Sequence, residues 1–412
     1  MKTKIIITIV IFCIIAVTIG VTLYISRKIT SDKFIINLVE NNTDIRFSFD
    51  NNIYNNNIIN VKNRNMFKKI ALKGEIGLAE SYIDGDWDAY DLENIIYKLK
   101  LKYELLANQI KKQSLTFIIM EIKTNIENRN NSIRSSKKNI SHHYNIGNDL
   151  YKKMLGKHMQ YTCAYFYKPE LNLDEAQFAK MKMIAKKLDL SPGLLVLDIG
   201  CGYGSMGCFL AKYYGVKVIG CTLSKEQKIF GDKNFSHSNM KIILRDYRHL
   251  NGKFDRIYSV GMFEHVGRKN YKEYFNKCHA LLKDNGLMLL HTIGTKSRTW
   301  SQNCFINKYI FPEGELPHIK NLTGKFMDNW NMEDWQNMGQ SYAKTLRSWR
   351  NNIGNWQGLD KYDYKFRRMW DYYLLGCAAN FQSRGIFLWQ IVFTKNPNNR
   401  KDDCHHLRNY FL

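Results

Sequence analysis

The stretch Leu194–Gly204, LLVLDIGCGYG, constrains the fold of this 412-residue chain more than any other. An apolar run that breaks into alternating glycines is a buried strand ending in a tight turn. Gly200, Gly202 and Gly204 permit positive φ and let the backbone approach a ligand with no Cβ in the way. Asp198, the one acid of the stretch, stands at the strand's end, where a carboxylate can meet a cation or a polar group of a nucleotide. The spacing excludes a P-loop, which needs Lys-Ser/Thr after its glycines. It also excludes the dinucleotide fingerprint, whose third glycine comes three residues after the second. A glycine-rich turn that binds nothing is the other structural reading.

From Ser141 onward, strand and helix patterns alternate around this turn. Strands are predicted at Leu194–Ile199, Lys217–Cys221, Met240–Leu244, Phe254–Val260 and Gly286–His291, and a late antiparallel one at Phe387–Thr394. Helices are predicted at Leu173–Leu188, Gly204–Tyr214, Lys225–Asn234 and Lys269–Leu282. Such alternation predicts an α/β, doubly wound sheet that binds ligands at the carboxyl ends of its strands.

The front of the chain is different. Ile5–Ile25 is an uncharged apolar run of about 21 residues, long enough as a helix to span roughly 30 Å of hydrocarbon. It is longer than a signal-peptide core, and Arg27-Lys28 follow it directly, so an uncleaved transmembrane anchor over 1–28 is expected. Lys2 and Lys4 flank its other side, so charge alone does not orient it. Residues 29–107 read as a small domain with a turn at Asp84-Gly85-Asp86 and an amphipathic helix starting at Leu92. The polar, Asn-rich and basic stretch 108–140 reads as a linker. The predicted organisation continues with a catalytic domain over 141–400 and a tail over 401–412.

A formal charge of +24 draws such a chain to polyanions, either nucleic acid or an anionic bilayer. No zinc-finger, homeodomain or RNA-recognition signature is present, which disfavours nucleic acid. Nine cysteines without a C-x-x-C pair suggest reduced thiols, with neither a metal site nor a disulfide framework.

The strand ends carry the chemistry. Thr222, Leu223 and Ser224 end the second strand, and Gln227 follows as a candidate ribose partner or else a surface helix residue. Asp246, after the third strand, can accept from an adenine amino group or be an ordinary loop aspartate. The fourth strand delivers Glu264 and His265 in GMFEHVG, and the fifth delivers His291 in LLHTIG. Ionisable groups at buried strand ends are costly unless they are paired or functional. On its own, a histidine in that position is as readily a satisfied core residue. Phe305–Phe311 reads as a tunnel or lid segment, or equally as a buried core strand.

The D-x-G-x-G-x-G order of Asp198–Gly204 resembles the first motif of class I methyltransferases, with their Rossmann-like fold. A wider set of strings is similar to the cyclopropane-fatty-acyl-phospholipid synthases and the mycolic acid cyclopropane synthases. In chain order they are ESYIDGDW, HHYNIGNDLYKKML, MQYTCAYF, VLDIGCGYG, GMFEHVGRKNY, LLHTIG, FINKYIFPEGELP, MEDWQNMGQSYAKTL and YYLLGCAANFQSRGIFLWQIVF, from Glu80 to Phe393, a resemblance covering about Lys73 to Lys395. The resemblance implies transfer of a methylene group from S-adenosylmethionine across a cis double bond of an unsaturated phospholipid, with bicarbonate as general base. It implies an anion site of Cys163, Glu264, His291, Ile293 and Tyr342, and cofactor contacts from Tyr161, Thr162, Gly200, Gly202, Thr222, Leu223 and Gln227. To these the strand-end reading adds Asp198 and Asp246. Tyr161, Tyr165, Phe166, Tyr342 and Trp389 are candidates to offset a carbocation. Thr162 and Tyr203 stand where Ser and Trp are frequent in the family, and the membrane anchor is a departure from it.

The expected partner is an unsaturated phospholipid in a bilayer of anionic character. The catalytic body is expected in the cytoplasm, where S-adenosylmethionine is made, and homodimerisation stays open. Two rivals remain: lipid methylation that leaves a branched chain without ring closure, and a non-catalytic binding module.

Overall fold

Runs rich in Val, Ile and Leu on both faces need cover on both sides, and five of them form the parallel part of one sheet. In the computed structural model, which describes residues 32–50, 55–113, 147–296, 303–395 and Leu407, the chain divides into two compact units. The run Ile5–Ile25, most of the segment 108–140 and nearly all of 401–412 lie outside the described residues. Among the described residues, no helix is long and apolar enough to cross a membrane.

The first unit joins the front of the chain to Asn303–Phe305 and Asp363–Ala379. It contains α1 (Asp32–Glu40), β1 (Arg46–Ser48), β2 (Ile58–Val61), α2 (Asn65–Lys73), α3 (Glu75–Ile83), β3 (Trp87–Ala89), α4 (Leu92–Leu101) and α5 (Tyr103–Gln113). Strands β1 and β2 pair in parallel and β3 adds antiparallel to β2. Trp87 is fully buried and donates its indole N–H to Ser81 Oγ at 3.0 Å, which satisfies the polar end of a large apolar side chain. Residues 363–379, which the sequence reading assigns to the 141–400 span, pack within this unit. There the Arg368 guanidinium lies 3.8 Å over the Tyr82 ring and donates to Asp88.

The second unit contains α6 (Asn148–Leu155), α7 (Leu173–Lys187), β4 (Leu195–Ile199), α8 (Ser205–Tyr214), β5 (Lys217–Thr222), α9 (Lys225–Asn234), β6 (Met240–Leu244), β7 (Phe254–Val260), α10 (Tyr271–Leu281), β8 (Leu282–Gly294), β9 (Trp330–Asn337) and α11 (Gly339–Ile353). Helix α12 (Tyr364–Gln382) then leads to β10 (Phe387–Lys395). The sheet order is β6-β5-β4-β7-β8-β10-β9, with β6 to β8 parallel and β10 antiparallel to both β8 and β9. This is the class I methyltransferase arrangement with its late antiparallel strand. Strand order reverses between β4 and β7, which opens a crevice at their carboxyl ends.

Each face of the sheet has its own core. Met181, Ile184 and Leu188 of the α7 region and Leu210 of α8 cover one face; Tyr274, Phe275 and Cys278 of α10 cover the other. Helix α7 starts in a capping box: Asn172 Oδ1 accepts from the Glu175 N–H at 3.0 Å, and Glu175 Oε2 accepts from the Asn172 N–H at 2.9 Å.

One strand was not anticipated, and two expectations change. Strand β9, WNMEDWQN, is too polar to show a buried-strand pattern, because it is the sheet's edge and is mostly half-exposed. Strand β8 begins directly at the end of α10, earlier than Gly286. Phe305–Phe311 is neither a strand nor a regular helix: Ile306–Ile310 form a π-helical turn.

Candidate active site

The glycine turn meets its steric demand at two positions. Gly200 has φ +80°, and a Cβ there would lie 2.5 Å from Met262 Cγ, at the end of β7. Gly204 has φ +78°, and its Cβ would lie 2.5 Å from Ile242 Cδ1. The N–H groups of Gly200 and Cys201 both donate to the Cys221 carbonyl at 3.0 Å, which ties the turn to the end of β5. Beside the turn, Thr222 Oγ1 lies 2.9 Å from Gln227 Oε1. The Gln227 N–H is capped by Ser224 Oγ at 3.1 Å. Gln227 is 4 % exposed, so it is not the surface helix residue of the alternative reading. Leu223 is half-buried between these two.

The two acids behave oppositely. Asp198 is buried and accepts from Tyr258 Oη at 2.7 Å. Burial pushes its carboxyl up to about 7, against that bond and the charge of Lys180. Burial also acts on Asp246, but the Arg248 guanidinium outweighs it and holds that carboxyl below its ordinary value. Arg248 donates to both Asp246 oxygens, at 2.9 and 2.8 Å. Asp246 is therefore an ion-paired capping residue with part of its accepting capacity already used.

A second cluster forms at the ends of β7 and β8. Glu264 Oε1 accepts from the Ile293 N–H at 2.6 Å. Ile293 follows His291 by two positions on β8, so this bond ties the glutamate to the same strand end. The His291 carbonyl accepts from the Gly261 N–H at 2.9 Å, joining the two strand ends. Both side chains are buried, and Glu264 Oε2 and His291 Nε2 have no hydrogen-bond partner among the described residues. Burial pushes the Glu264 carboxyl up to about 7 and the His291 imidazole well below its ordinary value. Gln390 Nε2 lies 3.2 Å from His291 Nδ1. With the amide so oriented it donates, so Nδ1 accepts and the neutral ring carries its proton on Nε2.

The segment Gln160–Phe166 crosses this cluster. Thr162 packs against Gly261, where a Cβ would lie 2.7 Å from the threonine methyl. The Ala164 N–H donates to Thr345 Oγ1 at 3.0 Å and the Phe166 N–H to Ser341 Oγ at 3.3 Å, fixing the segment against α11. Cys163 lies between Thr162 and Ala164, fully buried, with its thiol pushed up by burial and thus inert as a nucleophile. Tyr342 of α11 stacks on Phe381 at 4.6 Å and meets Trp349 edge-on at 6.0 Å. Tyr161 also packs on Trp349, at 5.2 Å, and on Phe311 at 6.3 Å.

The structure thus brings Thr162, Glu264, His291 and Ile293 to the β7–β8 end, with Cys163 next in sequence to Thr162, while Tyr161 and Tyr342 share Trp349 as an aromatic neighbour. Gly200, Gly202, Thr222, Leu223, Gln227 and Asp198 gather around the β4–β5 end. Trp389 is a correction: it belongs to the sheet core, packed on Gly294 and 5.2 Å from Trp335. Sequence reasoning missed Tyr258, Met262 and Gln390. Of these only Gln390 left a signal, a lone amide inside the apolar run FLWQIVF.

Comparison with known proteins identifies the family. Residues 131–391 match the family model described as mycolic acid cyclopropane synthetase. The cyclopropane-fatty-acyl-phospholipid synthase of Escherichia coli K12 is 42 % identical over 346 residues, 83 % of this chain and 88 % of the relative. A probable fatty acid methyltransferase of Pseudomonas putida is 37 % identical, over 65 % of this chain and 72 % of that protein. Among solved structures, the mycolic acid cyclopropane synthase CmaA1 complexed with SAH and CTAB is 31 % identical with a TM-score of 0.59, covering 63 % of this chain and 98 % of the other. The sheet order, the glycine turn and these matches converge: the chain belongs to the mycolic acid cyclopropane synthetase family and is an S-adenosylmethionine-dependent methyltransferase.

Proposed function

We propose that the enzyme adds a methylene group across a cis double bond of an unsaturated phospholipid acyl chain, closing a cyclopropane ring, with bicarbonate as the general base. The observation that carries this reading is the pair of orphaned, buried polar atoms, Glu264 Oε2 and His291 Nε2, on adjoining strand ends. Burying such atoms without a partner costs about 1–3 kcal/mol each, so they call for a small polar ligand. A bicarbonate ion fits: the His291 N–H offers it a donor, and a glutamate pushed up to about 7 can share its proton. The Cys163 backbone N–H and the Tyr342 hydroxyl would complete the cage. Ile293 contributes by fixing Glu264 through its N–H, already committed at 2.6 Å.

When bound, S-adenosylmethionine supplies an electrophilic methyl group and bicarbonate supplies the base that deprotonates it after transfer. The chain's own residues do the rest. The bare backbone at Gly200 and Gly202 admits the cofactor closely, and Thr222 with Gln227 offers polar groups to its ribose. Asp246 serves the adenine end, and Tyr161, Thr162 and Leu223 complete the cofactor contacts. An isolated alkene is a weak nucleophile, so holding it in line with the methyl group is the main source of rate. The aromatic wall of Tyr161, Trp349, Phe311 and Tyr342 excludes water. Each ring suitably faced offsets carbocation charge by about 0.5–2 kcal/mol. Gln390 keeps His291 in the tautomer that donates.

The lipid reaches this site from a bilayer. The run Ile5–Ile25 would anchor the chain there with its body in the cytoplasm, and the basic composition favours anionic headgroups. The similarity to a probable fatty acid methyltransferase favours a second reading, methylation without ring closure. Purified enzyme with S-adenosylmethionine and unsaturated phospholipid vesicles tests both. Cyclopropane product that is lost in Glu264→Ala and His291→Ala supports the proposal. Near-normal turnover in either variant refutes the assigned roles, and a saturated branched product refutes ring closure.

A further inference from the structure

Helix α7 carries two lysines whose side chains are completely buried, Lys180 and Lys187. A buried ammonium is expensive unless it is hydrogen-bonded, so each is held for a reason. Lys187 bonds Asp334 Oδ2 at 2.6 Å and Gln336 Oε1 at 2.9 Å, joining α7 to the edge strand β9. Lys180 bonds Gln160 Oε1 at 2.6 Å and Thr162 Oγ1 at 2.9 Å, and both partners lie in the segment that flanks Tyr161.

Three further contacts tighten this arrangement. Gln160 also donates to the hydroxyl of Ser205, the first residue of α8 after the glycine turn. Gln177, one helical turn before Lys180, donates to the Thr162 carbonyl at 2.9 Å and to the Gln160 carbonyl at 3.3 Å. Thr162 in turn packs on Gly261, whose N–H donates to the His291 carbonyl. One ammonium thereby links α7, the Gln160–Thr162 segment, the glycine turn and the β7–β8 strand ends.

We propose that Lys180 is a positioning residue for the cofactor, holding Gln160 and Thr162 so that Tyr161, Thr162 and the Cys163 backbone face the glycine turn in binding geometry. The inference rests on the cofactor placement proposed above. Its chemistry is that of a buried donor with two neutral acceptors and a carboxylate, Asp198, within its field. Burial pushes the Lys180 ammonium down, and Cys163 and Asp198 only partly oppose this.

The test uses S-adenosylhomocysteine binding by titration calorimetry on the full-length protein, with thermal unfolding in parallel. Lys180→Met removes the donors and keeps most of the volume; Lys187→Met is the matched control on the same helix. Both variants are expected to unfold at lower temperature. Lys180→Met weakens S-adenosylhomocysteine about tenfold or more, as expected for loss of charge-assisted bonds that orient a binding segment, while Lys187→Met stays within about twofold of the parent. Equal affinities in the two variants, whether both weakened or both unchanged, overturn the proposal. Gln160→Leu, which cuts one bond of the ammonium, is a second probe should Lys180→Met not fold: a several-fold weakening supports the proposal and unchanged affinity overturns it. Failure of the unmodified protein to bind S-adenosylhomocysteine would instead overturn the cofactor placement itself.

Discussion

Replacing Glu264 by Gln should stabilise the protein above neutral pH while removing its activity. The carboxyl is buried, its Oε2 has no partner among the described residues, and burial pushes it from an ordinary value near 4.5 up to about 7. For an acid whose folded value is raised, the folded state prefers the protonated form. It therefore loses stability as pH climbs from about 4.5 to about 7, and the loss is complete above that. A difference of roughly 2.5 units at about 1.4 kcal/mol each gives a cost near 3 kcal/mol at pH 8, and almost none at pH 4.5. Gln can keep the acceptor for the Ile293 N–H while removing the charge, so the variant recovers most of that cost. For a unit of this size, this corresponds to a rise in melting temperature of about 5 °C or more at pH 8. Calorimetric melting of both proteins in carbonate-free buffers at pH 5 and pH 8 reads it. A pH-independent difference, or a variant less stable at pH 8, refutes the claim that Glu264 is a strained, buried acid.

Gln390→Leu removes the amide that fixes the His291 tautomer, and kcat should fall about tenfold with S-adenosylhomocysteine affinity unchanged; parallel kinetics and calorimetry separate the two. Gly200→Ala forces a Cβ at positive φ to within 2.5 Å of Met262, so cofactor binding should be lost and stability should fall by about 1–3 kcal/mol, read by titration and denaturant melts. A chain lacking residues 1–28 should still sediment with anionic vesicles at low salt and release as salt rises, whereas indifference to vesicle charge rules out the basic surface as the docking device.

The sequence disclosed what depends on short-range pattern. The buried strands, the glycine turn and the helix starts at Leu173 and Lys225 all carry local signals, and the described structure repeats them closely. Long-range pairing was not legible. Nothing local says that Tyr258 holds Asp198, that Gln390 orients His291, or that Lys180 and Lys187, among the lysines of α7, are the buried ones. Strand β9 escaped because an edge strand with polar residues has no burial period to read. Trp389 misled for the opposite reason: an aromatic in a family string is equally compatible with lining a site and with filling a sheet. Asp246 was placed correctly at its strand end, but its neighbour Arg248 competes for both carboxylate oxygens.

The central claim is that the β7–β8 strand ends hold a base that closes a ring on a lipid alkene. Expressing the chain in cells rich in unsaturated phospholipid, and measuring their fatty acids by mass spectrometry, tests it most directly. The account predicts acyl chains heavier by about 14 mass units with the double bond consumed and no hydrogen gained, and their absence with Glu264→Ala. Chains carrying two further hydrogens, or an unchanged profile from well-folded enzyme, would contradict it.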